Sequence, residues 1–153
     1  MNCCFIGHRS IPETEELREE ISAIIEKLIV EGGVSVFLFG SKSRFNSLCL
    51  ELVTKMKENY PFIKRIYVRS VYPLIEDWYE NYLLRLFDET IFPKRVEGNH
   101  KASYVIRNYE MIDMSDFCVF YFNEKLVPKN RKSGTKIALA YAQKKQQVII
   151  KLP

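Results

Sequence analysis

Short apolar runs alternate along the chain with longer amphipathic segments, and this alternation constrains the fold more than any other feature. Three runs are the most uniformly apolar: 2–6, 34–39 and 117–122. Strands that are buried on both faces of a sheet read as such continuous runs, because neither face meets water. The pattern therefore predicts an α/β protein in which helices cover both faces of a parallel sheet.

The segments between the runs have the period of amphipathic helices, as in the first one, where Leu17, Ile21, Ile24 and Leu28 recur on one face. Helices are predicted over 13–31, 45–59, 75–88, 101–114 and 135–145. Two more strands are predicted at 62–68 and 147–152, the former nearer an edge, and 89–99 is predicted to be irregular. Right-handed crossovers then give one Rossmann-like, doubly wound domain over residues 1–153. It has about five strands in the order 3-2-1-4-5.

A polar turn follows each of the three central strands. The predicted strand order places the switch point of the sheet between the first and fourth strands. Ligands of doubly wound sheets bind beyond the carboxyl ends of the strands at this point. The glycines would let the backbone approach a ligand, and the basic side chains would donate to phosphate or ribose oxygens. Ordinary turns with solvated side chains are the alternative. The candidate binding residues in the first two turns are Gly7, His8, Arg9, Gly40, Ser41 and Lys42.

The third turn adds a basic loop and the start of a helix. Five cationic residues and no acidic one lie between 125 and 136, namely Lys125, Lys129, Arg131, Lys132 and Lys136. Ser133, Gly134 and Thr135 then precede a predicted helix, whose first amides and positive dipole end favour an anion. A solvated loop and simple N-capping by Ser133 or Thr135 are the alternatives. The location at the switch point favours a phosphate site.

The predicted helix 101–114 supplies two further candidates, Arg107 and Asn108. A guanidinium that projects toward the switch point can bind phosphate through paired hydrogen bonds. Glu110 lies three residues after Arg107, so an ion pair within the helix is the alternative.

Composition limits the remaining classes of function. The net charge of +4 permits an anionic ligand but disfavours nucleic acid as a partner. Four cysteines in apolar surroundings are expected to be buried, reduced thiols, and neither a metal nor a cofactor is predicted. No apolar run is long enough to span a membrane and no signal peptide is visible, so a cytoplasmic protein is expected.

Four motifs together resemble the SLOG superfamily, which includes the LOG nucleotide phosphoribohydrolases, the DprA DNA-processing proteins and sensor domains of bacterial defence systems. The motifs are Cys4-Phe5-Ile6-Gly7-His8-Arg9, Arg107-Asn108-x-x-Met111, Ser115-Asp116 before a strand, and Ser133-Gly134-Thr135 before a helix. Small bacterial and phage proteins that begin with CFxGHR are the most similar branch. The resemblance covers nearly the whole chain and implies nucleotide binding, with Arg107 contacting the ligand and Gly134-Thr135 holding its phosphate.

The resemblance fails at the catalytic positions of the LOG enzymes. Their Pro-Gly-Gly-x-Gly-Thr-x-Glu-Glu loop places two glutamates after the threonine, where this chain has Ile137 and Ala138. We therefore expect binding without LOG-type hydrolysis: a sensor or sequestering protein for an ADP-ribose-like or cyclic signalling nucleotide, in phage defence or anti-defence. One alternative is a nucleoside-phosphate N-glycosidase that uses Glu110 or Glu124 instead. Another is a DprA-like module that binds single-stranded DNA.

The predicted helix 75–88 carries more large apolar side chains than one buried stripe requires. We therefore expect a homodimer or a higher even oligomer with this helix, or helix 45–59, in the interface. Coverage of the aromatic face by segment 89–99 of the same chain is the alternative.

Overall fold

The computed structural model describes residues 1–97 and 102–153, and within these ranges it has one six-stranded parallel sheet with helices on both faces. The strands are β1 Asn2–Gly7, β2 Val36–Phe39, β3 Lys64–Val68, β4 Glu89–Ile91, β5 Phe117–Tyr121 and β6 Val148–Leu152. The helices are α1 Glu15–Val30, α2 Arg44–Met56, α3 Asp77–Leu86, α4 Ser103–Asp113 and α5 Gly134–Lys144. The strand order is β4-β3-β2-β1-β5-β6.

The predicted doubly wound sheet is confirmed, with one additional strand at its edge. The five predicted strands have the predicted order, and β1 lies between β2 and β5 at the switch point. The prediction that 89–99 is irregular is wrong for Glu89–Ile91, which pairs in parallel with β3. Its three residues, two of them polar, are too few to show a periodic pattern. Residues 98–101, which include the end of that segment and the start of the predicted helix 101–114, lie outside the described residues.

Two apolar cores lie on the two faces of the sheet. Helices α1, α2 and α3 pack on one face, where Phe5, Phe37 and Phe45 are fully buried. Helices α4 and α5 pack on the other face around Met111 and Phe120. Adjacent strand residues point to opposite faces, and Cys3 and Cys4 accordingly belong to different cores. All four cysteines are buried and free, as expected.

Side-chain caps fix where three of the helices begin. The hydroxyls of Thr14, Ser43 and Ser133 accept hydrogen bonds from the backbone amides of Leu17, Asn46 and Lys136. Such caps satisfy amides that the helix itself leaves without a partner. The caps of α2 and α5 place both helix N-termini beside the carboxyl edge of the sheet. Among the described residues, no helix is long and apolar enough to cross a membrane.

Candidate functional site

A cleft with a volume of about 1140 Å³ lies at the carboxyl edge of the sheet, across the ends of β1, β2 and β3 and the start of α5. Every binding residue predicted from the sequence lies in its wall. These residues are Gly7, His8, Arg9, Gly40, Ser41, Lys42, Arg107, Asn108, Ser133, Gly134 and Thr135. The structure therefore brings four separate segments of the chain to one cavity, and ligand binding there stays a prediction.

Backbone and side-chain hydrogen bonds fix the turn after β1 to the start of α2. The amide of Arg44 donates to the carbonyl of Arg9 at 2.9 Å. Ser41 donates from its hydroxyl to Ser43 Oγ at 2.8 Å. The side chain of buried Asn46 accepts from the Gly40 amide at 3.2 Å and donates to the Phe5 carbonyl at 3.0 Å. The ends of β1 and β2 are thus held together directly beneath the cleft.

The start of α5 contains one residue that caps the helix and one residue with open space beside it. Ser133 Oγ accepts from the Lys136 amide at 3.2 Å, so the predicted N-cap is present. Gly134 is different, because a Cβ built there would have no heavy atom within 4 Å. Capping therefore explains Ser133, whereas the position of Gly134 leaves open space beside the first turn of α5.

Arg107 is 5% exposed and extends from α4 across the end of β2. Its Nη1 donates to the Gly40 carbonyl and, at 3.2 Å, to Ser70 Oγ. The alternative ion pair with Glu110 is absent from the structure, since Glu110 pairs with Arg95 at 3.2 Å. Burial lowers the pKa of Arg107 to about 10, so the side chain is still a cation at neutral pH.

The cleft is cationic throughout. Six positively charged side chains line it and, among the described residues, no carboxylate does. The six are Arg9, Lys42, Arg69, Arg107, Arg131 and Lys132. Arg69 and Arg107 are both at least nine-tenths buried, and their hydrogen-bond partners among the described residues are neutral oxygens. A cleft whose walls carry charges of one sign concentrates the electrostatic potential and attracts ligands of the opposite charge.

His8 connects the ends of β1 and β5. His8 Nε2 lies 2.8 Å from the backbone nitrogen of Asn123 and 3.1 Å from its carbonyl oxygen, so the ring contacts both polar groups of that residue. Burial lowers the pKa of His8, so the ring is neutral at pH 7. His8 therefore holds the start of the basic loop against β1 and adds no positive charge to the cleft.

The two glycines expected to admit a ligand also have a role in packing. A Cβ on Gly7 would overlap the buried ring of Phe45. A Cβ on Gly40 would lie 2.5 Å from Met111 Sδ and 2.8 Å from Arg107 Cδ. Both glycines line the cleft, but their small size is required by the packing of α2 and α4 against the strand ends.

Sequence reasoning missed the contribution of β3 to the cleft. Arg69, Ser70 and Tyr72 follow that strand directly, and all three line the cavity. The rule that identified the turns after β1 and β2 applies equally to β3, but Lys64 and Arg65 interrupt its apolar run and so predicted a strand nearer the edge of the sheet. Three tyrosines also line the cleft, and no motif in the sequence marked them as candidate binding residues: Tyr67, Tyr79 and Tyr104.

The two alternative catalytic residues lie outside the cleft. Glu110 is engaged by Arg95, and Glu124 is an exposed residue whose Oε1 lies 3.8 Å from Lys136 Nζ. Ala138, which stands at one of the two positions where the LOG motif has a glutamate, is buried in the core. The described part of the cleft thus holds no carboxylate that could stabilise an oxocarbenium ion. The described residues also hold no group of three or more His, Cys, Asp or Glu side chains that could bind a metal.

In comparisons with known proteins, no family model matches this chain and no curated protein matches it.

Proposed function

We propose that this protein is a SLOG-like domain that binds a nucleotide-derived ligand, an ADP-ribose-like or cyclic signalling nucleotide, without hydrolysing it. One observation carries the proposal: the cleft at the switch point is lined by six cations and, in its described part, by no acid. A ligand with several negative charges fits that lining, and a neutral or cationic ligand does not.

The two buried arginines strengthen the argument for an anion. A buried charge that lacks an opposite charge is costly, because neutral hydrogen-bond partners replace only part of its hydration. Arg107 has a carbonyl, a hydroxyl and an amide oxygen as partners, and Arg69 has two carbonyls and a hydroxyl. A ligand that carries several negative charges along its length would supply the missing negative charge. The loss of hydration at these two charges therefore destabilises the free protein, and ligand binding offsets that loss.

The absence of a carboxylate from the described cleft favours binding over N-glycosidase chemistry. A cleft that retains its ligand intact suits a sensor or a protein that sequesters the ligand. Isothermal titration with ADP-ribose, a cyclic dinucleotide and AMP tests binding, with adenosine as the uncharged control. We expect the phosphorylated compounds to bind and adenosine not to bind. Chromatography of the same mixtures should show no released base.

Equal affinity for adenosine and its phosphorylated forms would contradict the proposal, and so would no binding at all. Released base would establish the enzyme instead. Tight binding of an oligonucleotide that weakens steeply with salt would favour the DNA-binding alternative.

Replacing Arg107 by lysine should weaken nucleotide binding by about 1–3 kcal/mol, or about 5- to 150-fold. Lysine keeps the charge but cannot reproduce the planar fork of donors that binds phosphate through two hydrogen bonds. Titration calorimetry measures the loss. Arg85→Lys is the matched control, because Arg85 is exposed on α3 and does not line the cleft. A fall in melting temperature with unchanged affinity would show that Arg107 is only structural.

We also propose that the protein self-associates through α3. Leu83 and Phe87 are buried on the inner side of this segment. On its outer side, Trp78 and Tyr82 are each more than half exposed. Light scattering at micromolar concentration should give twice the 18.1 kDa chain mass or a higher even multiple. The double variant Trp78→Glu, Tyr82→Glu should return the mass to one chain. A monomeric wild type would contradict the proposal, and an unaffected assembly would place the interface elsewhere.

A further inference from the structure

The loop that follows β3, residues 70–74, contains a tyrosine in an unusual backbone conformation. Tyr72 has a φ of 62°, in the left-handed region that residues with a side chain rarely adopt. The next residue is Pro73, and a residue before proline is normally restricted to extended conformations. Non-glycine residues in this region cost free energy and are concentrated at ligand-binding sites.

Buried Arg69 holds the backbone of Tyr72 in this conformation. Its Nε donates to the Tyr72 carbonyl at 3.3 Å, and its Nη2 donates to the Pro73 carbonyl at 3.3 Å. Its Nη1 donates to Thr90 Oγ1 at 3.0 Å, which anchors the guanidinium to β4. The loop is thus fixed to the sheet through one side chain, and its conformation is imposed by the fold.

This conformation places an aromatic ring at the rim of the cleft. Tyr72 lines the cavity and is 63% exposed, so its ring is not held there by burial in the core. Tyr104, on the first turn of α4, lines the same cavity and is 54% exposed. Exposed aromatic rings beside a cationic groove are typical of sites that stack nucleobases.

The position of Tyr72 after the end of β3 separates its ring from the start of α5. In the order β3-β2-β1-β5, three strand spacings lie between the ends of β3 and β5, a span of about 14 Å. That span exceeds the size of a phosphate group, so one phosphate cannot contact both ends. An elongated ligand, with a planar ring at one end and negative charge along its length, can occupy the whole cleft.

From these observations we infer that Tyr72 stacks on the base of the bound nucleotide, with its phosphates lying toward Gly134, and that Arg69 is a positioning residue for Tyr72. The inference rests on the proposed function and names the part of the cleft that takes the base.

Tyr72→Gly is the decisive variant, because glycine accepts the left-handed conformation and removes only the ring. We expect its affinity for ADP-ribose to fall by about tenfold or more, whereas its affinity for inorganic pyrophosphate changes less than twofold. Tyr72→Phe should bind ADP-ribose within twofold of the wild type, because stacking does not need the hydroxyl. Phe62→Ala is the control, since this exposed aromatic residue lies outside both the cleft lining and α3. Titration calorimetry measures all four proteins.

Unchanged affinity of Tyr72→Gly for ADP-ribose would overturn the inference while the proposed function stands. An equal loss for ADP-ribose and pyrophosphate would also overturn it, because Tyr72 would then shape the cleft rather than contact a base. If the wild type binds neither compound nor any other nucleotide, the proposed function fails and the inference fails with it.

Discussion

Replacing Gly134 by leucine is expected to abolish nucleotide binding and to leave the fold intact. Leucine would fill the open space beside the first turn of α5, where a Cβ meets no heavy atom of the protein. Phosphate would then lose access to the amides of Gly134 and Thr135, which we propose bind it at the positive end of the helix dipole. We expect affinity to fall by about 100-fold or more, equivalent to about 3 kcal/mol. Titration calorimetry with the nucleotide that binds the wild type measures the change.

Protein stability should not fall in this variant, because leucine is a better helix former than glycine and no buried contact is disturbed. Ala140→Leu is a suitable control, since it enlarges an exposed side chain on the same helix outside the cleft. A crystal grown with the ligand should show a phosphate within hydrogen-bond distance of the Gly134 or Thr135 amide. Wild-type affinity in Gly134→Leu would place the phosphate elsewhere in the cleft.

The location of the cleft could be predicted because it follows from strand order. Apolar runs marked β1, β2 and β5 as central, and their order placed three polar turns at one edge. The orientation of Arg107 could not be predicted in the same way. Spacing alone allowed an ion pair with Glu110, whereas the structure pairs Glu110 with Arg95, and Arg95 is distant in sequence. Tertiary partners of this kind leave no local pattern.

Conformations imposed by distant contacts were also beyond sequence reasoning. Segment 70–74 has the sequence Ser-Val-Tyr-Pro-Leu, and nothing in it indicates that Arg69 and Thr90 hold Tyr72 at a positive φ. The packing of Gly7 could not be predicted either, because its place after a strand indicated only contact with a ligand. The structure gives it a packing role against Phe45, which lies 38 residues later in the sequence.

Asn46→Ala should cause a large loss of stability. Its side chain is 3% exposed, accepts from the amide of Gly40, which directly follows β2, and donates to the carbonyl of Phe5 in β1. Alanine reaches neither group, so a buried donor and a buried acceptor would lose their partner. Each unsatisfied group costs about 1–3 kcal/mol, and we expect a total of about 2–4 kcal/mol. The melting temperature should fall by about 5–15 °C.

Thermal and urea unfolding of both proteins measure this loss, and Asn59→Ala is the matched control because Asn59 is exposed. The same variant tests how the cleft is built. Gly40 supplies the carbonyl that accepts from Arg107, so displacement of its peptide would also move the guanidinium. At a temperature where the variant is still folded, nucleotide affinity should therefore fall together with stability. A stable variant would mean that water replaces the amide, and normal affinity in a destabilised variant would mean that Arg107 keeps its position without Asn46.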